Sequence, residues 1–117
     1  MTSDTLYILR DALIAQRDSP CLIAIPRSLL DQVETRLTVL KARYKETGSK
    51  EIMEEHESIV AVLEEIKELR ADIIWNAVRF CDESFACDAE VGNFTEREKE
   101  IFEPLCRLSM KLRGMDI

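Results

Sequence analysis

The stretch Ile59-Val60-Ala61-Val62-Leu63-Glu64-Glu65-Ile66-Lys67-Glu68-Leu69-Arg70-Ala71-Asp72-Ile73-Ile74-Trp75-Asn76-Ala77-Val78-Arg79-Phe80 decides the fold. Its apolar residues recur at steps of three and four, the period of an α-helix, and no glycine or proline interrupts them. Followed outward, the pattern predicts one helix from Lys50 to about Glu83, about 50 Å long at 1.5 Å per residue. Ile52, Ile59, Leu63, Ile66, Ile73, Ala77 and Phe80 share one face, and Val60, Val62, Leu69, Ile74 and Val78 widen it to about half the circumference. A helix touching a single neighbour needs an apolar stripe only somewhat wider than about 100°. The excess puts this helix at the centre of the domain or against a partner chain.

Three more helices are legible around it. The first runs from Asp4 to Arg17, with Ser3 or Asp4 as cap and Leu6, Leu9, Leu13 and Ile14 inward; Ser19-Pro20 stops it, because a residue before proline avoids helical geometry. Cys21-Leu22-Ile23-Ala24-Ile25-Pro26 reads as a buried extended connector. The second helix spans about Ser28 to Lys45, with Leu29, Leu30, Val33, Leu37, Leu40 and Tyr44 as its stripe, and Gly48 supplies a left-handed cap. After the long helix, the segment from Phe85 to Phe94 breaks the periodicity. Thr95-Glu96-Arg97-Glu98 then reads as a capping box, Thr95 capping the free backbone N–H groups and Glu98 reaching back. Phe94 and Lys99 hold the staple positions. The last helix runs to about Arg113 with Ile101, Phe102, Leu105, Leu108 and Leu112 inward, and Pro104 should bend it. The fold class is therefore all-α: a bundle of about four helices with one long central helix, forming a single domain over residues 1–117.

Composition narrows the function. With 117 residues, 46% apolar and 33% charged, the chain is too apolar for intrinsic disorder, and three glycines and three prolines are too few for a many-stranded β fold. No window approaches a membrane span, and Met1-Thr2-Ser3-Asp4 carries no basic run preceding an apolar stretch. Net charge is −7 and uneven: residues 1–47 hold seven basic and six acidic side chains, residues 48–117 nine and seventeen. A surface for duplex phosphate would show the opposite sign, so direct nucleic-acid binding by this chain alone is disfavoured, a local basic strip at Arg36, Lys41, Arg43 and Lys45 aside.

No catalytic or metal-binding set assembles. Cys21, Cys81, Cys87 and Cys106 match no common zinc spacing; free structural thiols in a reducing compartment are the plain reading, with a Cys81–Cys87 disulfide or a shared metal as the alternative. His56, the one histidine, falls on the apolar arc of the long helix as a partly buried structural residue, and Glu54, Glu55, Glu57, Glu64, Glu65 and Glu68 form a solvated acidic face. No cofactor motif is present. Arg70 interrupts the apolar arc between Ile66 and Ile73 and requires a carboxylate, from another helix or from a partner subunit. Trp75 projects from the opposite, mostly polar side as a possible interface anchor. The candidate interface residues are Val62, Leu69, Arg70, Ile73 and Trp75.

Four segments in order resemble the helical (A) domain of the GINS family of DNA-replication proteins. They are Leu6-Tyr7-Ile8-Leu9-Arg10-Asp11-Ala12-Leu13, Ser19-Pro20-Cys21-Leu22-Ile23-Ala24-Ile25-Pro26, Glu68-Leu69-Arg70-Ala71-Asp72-Ile73-Ile74-Trp75-Asn76-Ala77 and Asn93-Phe94-Thr95-Glu96-Arg97-Glu98. The resemblance is to the archaeal subunit type with the helical domain first. It departs at Asp72, where the family often has lysine, and the β-rich B domain that would follow Ile117 is absent from this chain, which implies a shortened subunit or a part of one.

The resemblance implies a non-enzymatic subunit of a GINS-like complex, a homo- or hetero-tetramer with other GINS subunits. Such a complex docks on and activates the MCM helicase at the replication fork together with a Cdc45 or RecJ-like protein. It implies a cytoplasmic, nucleoid-associated location in a prokaryote and a nuclear one in a eukaryote. The competing classes are a small all-helical enzyme of the chorismate-mutase type, for which Arg10, Arg70 and Lys67 are the basic residues on offer, and an unrelated helical adaptor.

Overall fold

The computed structural model describes residues 4–80 and 93–115. They form four helices: α1 (Asp4–Arg17), α2 (Arg27–Thr47), α3 (Lys50–Phe80) and α4 (Glu96–Arg113), with no strand among the described residues. No helix among them is long and apolar enough to cross a membrane. The all-α class and the long third helix agree with the periodicity. The expected extension of α3 to Glu83, most of the loop before Asn93, the Ser3 cap, and Cys81 and Cys87 lie outside the described residues.

Local chemistry sets the ends. Gly48 closes α2 at φ 61°, and its N–H donates to the Tyr44 carbonyl at 2.8 Å. Only glycine reaches that left-handed conformation without crowding its own Cβ. The resulting two-residue link, Gly48-Ser49, is short enough to force α2 back antiparallel along α3, where Arg36 grips Glu55 through two hydrogen bonds of 2.7 and 2.9 Å. That hydrogen bond raises the Arg36 pKa against the opposing effect of burial. α1 lies across both helices. Its start meets α2 through Gln32 and Thr5, and its end meets α3 through Arg17 and Glu65.

The apolar residues do not share one core. Leu6, Leu9, Leu13, Leu29, Val33, Leu40, Ile59 and Ile66 form a three-helix core between α1, α2 and the first half of α3. Leu22, Val78, Phe94, Phe102 and Cys106 form a second core farther along α3. The molecule is correspondingly long, 60 × 26 × 20 Å with a radius of gyration of 17.7 Å; a compact domain of about 100 residues has about 13 Å. α3 is the spine of both cores, which accounts for its wide apolar arc within this chain.

α4 runs in the same sense as α3: Glu98, at its start, meets Arg70, while Leu105 to Arg113 lie beside Trp75 to Arg79. It packs chiefly on α3, so one face is enough, and that face is not the expected one. Phe102 and Cys106 are buried, whereas Ile101, Leu108 and Leu112 are exposed. The expected inward residues Ile14, Phe80 and Tyr44 are exposed as well, because no second element among the described residues reaches their side of the helix. The expected Phe94–Lys99 staple does not form: Phe94 packs instead on Phe102, edge to face with ring centroids 4.7 Å apart, while Lys99 faces water. The connector lacks helix and strand as expected; Leu22 is its buried anchor, while Cys21, Ala24 and Pro26 are exposed.

Candidate functional site

The residue that breaks the pattern of α3 is the hub of the molecule. Arg70 is 2% exposed, and all five of its N–H donors are used. Nε and Nη2 each donate to the Glu98 carboxylate at 2.7 Å, the two-pronged geometry that a planar guanidinium allows. Nη1 donates to Gln16 Oε1 and to the Ile23 carbonyl, both at 2.9 Å, and Nη2 also donates to the Asn93 carbonyl at 3.0 Å.

The partners are themselves fixed. Gln16, fully buried at the end of α1, accepts from the Ile23 N–H at 3.1 Å and donates to the Cys21 carbonyl at 2.9 Å. Asn93 donates to the Leu22 carbonyl at 2.9 Å. Glu98 Oε1 accepts from the Thr95 N–H at 2.8 Å, and Thr95 Oγ1 accepts from the Glu98 N–H at 3.2 Å, completing the capping box read from the sequence. Burial pushes the Glu98 carboxyl up. The hydrogen bonds from Arg70 and Thr95 and the Arg70 charge outweigh it and hold the pKa below the ordinary carboxylate value.

One guanidinium thus ties α1, the connector, α3 and the start of α4 into a single network. No buried side-chain nitrogen or oxygen among the described residues is left without a partner. A saturated arginine has no donor to offer a small anion, and Arg10 and Lys67 are exposed elsewhere. The convergent basic pocket that a chorismate-mutase-type site requires is not present among the described residues, nor is any group of three metal-ligating side chains. His56 is half-buried on α3, as the arc predicts.

The other expected interface residues divide in two. Val62 and Leu69 are half-buried against the first core, and Ile73 against the second. With Arg70 they are engaged inside the chain. Trp75 is 58% exposed and remains available. It stands at the rim of an apolar groove of about 590 Å³ between α3 and α4, with Val78, Arg79, Leu105, Leu108, Leu112 and Arg113 among the lining residues. Sequence reasoning found Trp75 but assigned Leu108 and Leu112 to the core. It also missed Gln16, although the spacing Leu6, Leu9, Leu13, Gln16 continues the buried stripe of α1.

No protein-family model matches the chain, and no curated protein matches it either.

Proposed function

We propose that the chain is a non-enzymatic subunit of a GINS-like replication complex, a scaffold that docks on the MCM helicase together with a Cdc45 or RecJ-like partner. The observation that carries the reading is a convergence. Three of the four segments on which the resemblance rests meet at one arginine: Leu22-Ile23 of the connector, Leu69-Arg70 of α3, and Asn93 to Glu98 at the start of α4. Residues that recur together in a family pattern have a physical reason to do so when they complete one buried hydrogen-bond network, because losing any one strands the others. The saturated Arg70 and the apolar groove favour a protein-binding scaffold over a catalyst.

The test is reconstitution with the helicase and the Cdc45 or RecJ-like protein of the chain's own organism. Co-elution on gel filtration and a stimulated rate of duplex unwinding are the expected results. A chain that neither co-elutes with the helicase nor alters unwinding is not a GINS-type subunit, and the helical-adaptor reading takes its place.

A further inference from the structure

α1 turns an amphipathic strip to water on the side away from both cores. Asp4, Tyr7, Asp11, Ile14 and Asp18 recur at steps of three and four, so at about 100° per residue they share an arc of about 80°. That arc lies opposite the buried stripe of Leu6, Leu9, Leu13 and Gln16. The Asp18 N–H donates to the Ile14 carbonyl at 3.0 Å, which carries the helical turn through Asp18. All five residues are exposed, Tyr7 and Ile14 by 56% and 53%, and Ile8 beside them by 43%. A single apolar residue on a surface is ordinary. Tyr7 and Ile14, seven residues apart and set between acids at the same spacing, have the register of a contact with another helix.

The aspartates decide what fits. Asp4, Asp11 and Asp18 stand in no ion pair among the described residues. The stability of α1 accounts for only the first of them: Asp4 suits the positive end of the helix dipole, whereas Asp18 opposes the negative end. Arg17 is engaged with Glu65, and Arg10 lies on the flank, about 100° round from Asp11. A second copy of α1 meets acid with acid in either direction, Asp11 on Asp11 with Asp4 on Asp4 or on Asp18. An anionic lipid surface and a phosphate backbone have the same wrong sign. A polycation without apolar side chains leaves Tyr7 and Ile14 in water.

We propose that this face of α1 binds an amphipathic helix of another protein, one that carries lysine or arginine every seven residues with an aliphatic residue between them. The cations meet Asp4, Asp11 and Asp18, and the aliphatic side chains pack on Tyr7 and Ile14. The inference does not rest on the replication reading. A peptide tests it without a helicase, and each idea can fail while the other stands.

The experiment is calorimetric titration of the full chain with a peptide of three heptads, lysine and leucine at the two seam positions and alanine and glutamine elsewhere. Two control peptides have glutamate in place of lysine, or the lysines moved to the face opposite the leucines. The first peptide should bind, and both controls should bind at least tenfold more weakly. Asp11→Lys should weaken the first peptide by roughly fivefold, the scale of an exposed ion pair, and Ile14→Asn by about tenfold, the scale of one aliphatic side chain, both with unchanged helicity. Glu46→Lys, an exposed acid at the far end of α2, should leave binding unchanged. The double variant Asp11→Lys, Asp18→Lys should take the glutamate peptide instead. No binding of the first peptide overturns the proposal. So does equal binding of the peptide with displaced lysines, or an equal loss in Glu46→Lys, since either is the general attraction of a chain of net charge −7 for cations.

Discussion

Arg70 on α3 and Glu98 on α4 are joined by two parallel hydrogen bonds of 2.7 Å, and the same Glu98 caps the backbone of its own helix. A single carboxylate therefore fixes where α4 begins and where it attaches. The arginine in turn reaches back to Gln16 at the end of α1, 54 residues earlier in the chain. Packing of apolar side chains holds each core. This polar network holds the two cores in register along α3.

Removing Arg70 should cost far more than removing its helical neighbour. Arg70→Ala removes both guanidinium bonds to Glu98, one of the two bonds to the Gln16 oxygen and the bonds to the Ile23 and Asn93 carbonyls, and breaking a buried pair typically costs about 3–5 kcal/mol. Arg79→Ala, on the exposed side of α3, should stay within about 0.5 kcal/mol. Arg70→Lys should fall near the alanine variant, because an ammonium cannot make the planar contact. Urea denaturation of the three variants checks this, and equal midpoints for Arg70→Ala and Arg79→Ala would contradict the hub.

Glu98 predicts an acid dependence. Its folded pKa lies below its unfolded value, because the bonds from Arg70 and Thr95 outweigh burial. The unfolded chain therefore takes up the proton first as pH falls. The stabilisation is complete above the ordinary carboxylate pKa, about 4.3, and is lost as pH drops through the lower folded value. Glu98→Gln lacks this linkage. The stability gap between the two proteins should be widest near pH 7 and narrow on acidification below about pH 4. Thermal melts across that range measure it; a gap independent of pH is the contrary result.

Gln16 should behave as a core residue despite its polarity. Gln16→Leu keeps the volume but leaves the Ile23 N–H and one Arg70 N–H without their acceptor, and the Cys21 carbonyl with the Ser19 hydroxyl as a remaining donor. Each buried group left unsatisfied costs about 1–3 kcal/mol. Gln16→Leu should therefore destabilise the protein, the reverse of what a polar-to-apolar change does in an ordinary core. Calorimetry showing an unchanged or raised melting temperature would remove Gln16 from the network.

Gly48 isolates a backbone effect. A Cβ there meets nothing within 4 Å, so only the left-handed conformation opposes a side chain. Gly48→Ala should lower stability by about 1–2 kcal/mol, and Gly48→Asn by less, since asparagine tolerates that region. The order of the two midpoints in guanidinium denaturation is the check.

Local chemistry was readable from the chain. The Arg17 end of α1, the Gly48 cap, and Thr95 and Glu98 as a capping box all follow from contacts within a few positions of chain. So did the need of Arg70 for a carboxylate, because a charge in the middle of an apolar arc has few ways to exist. Which carboxylate was not readable. Glu98 was recognised for its cap, and nothing in the spacing of residues 70 and 98 says that α4 would start beside the middle of α3.

The sequence by itself determined which residues share a face of each helix, since that depends only on 3.6 residues per turn. The tertiary structure alone decided which faces find a neighbour. Ile101, Leu108 and Leu112 obey the helical period as well as Phe102 and Cys106 do, yet α4 rests mainly on one other helix and can cover only one side. Periodicity is a property of one segment, whereas burial is a property of two. The groove beside Trp75 exists because α3 outruns the three-helix core and carries α4 along a stretch where, among the described residues, no third helix closes the packing.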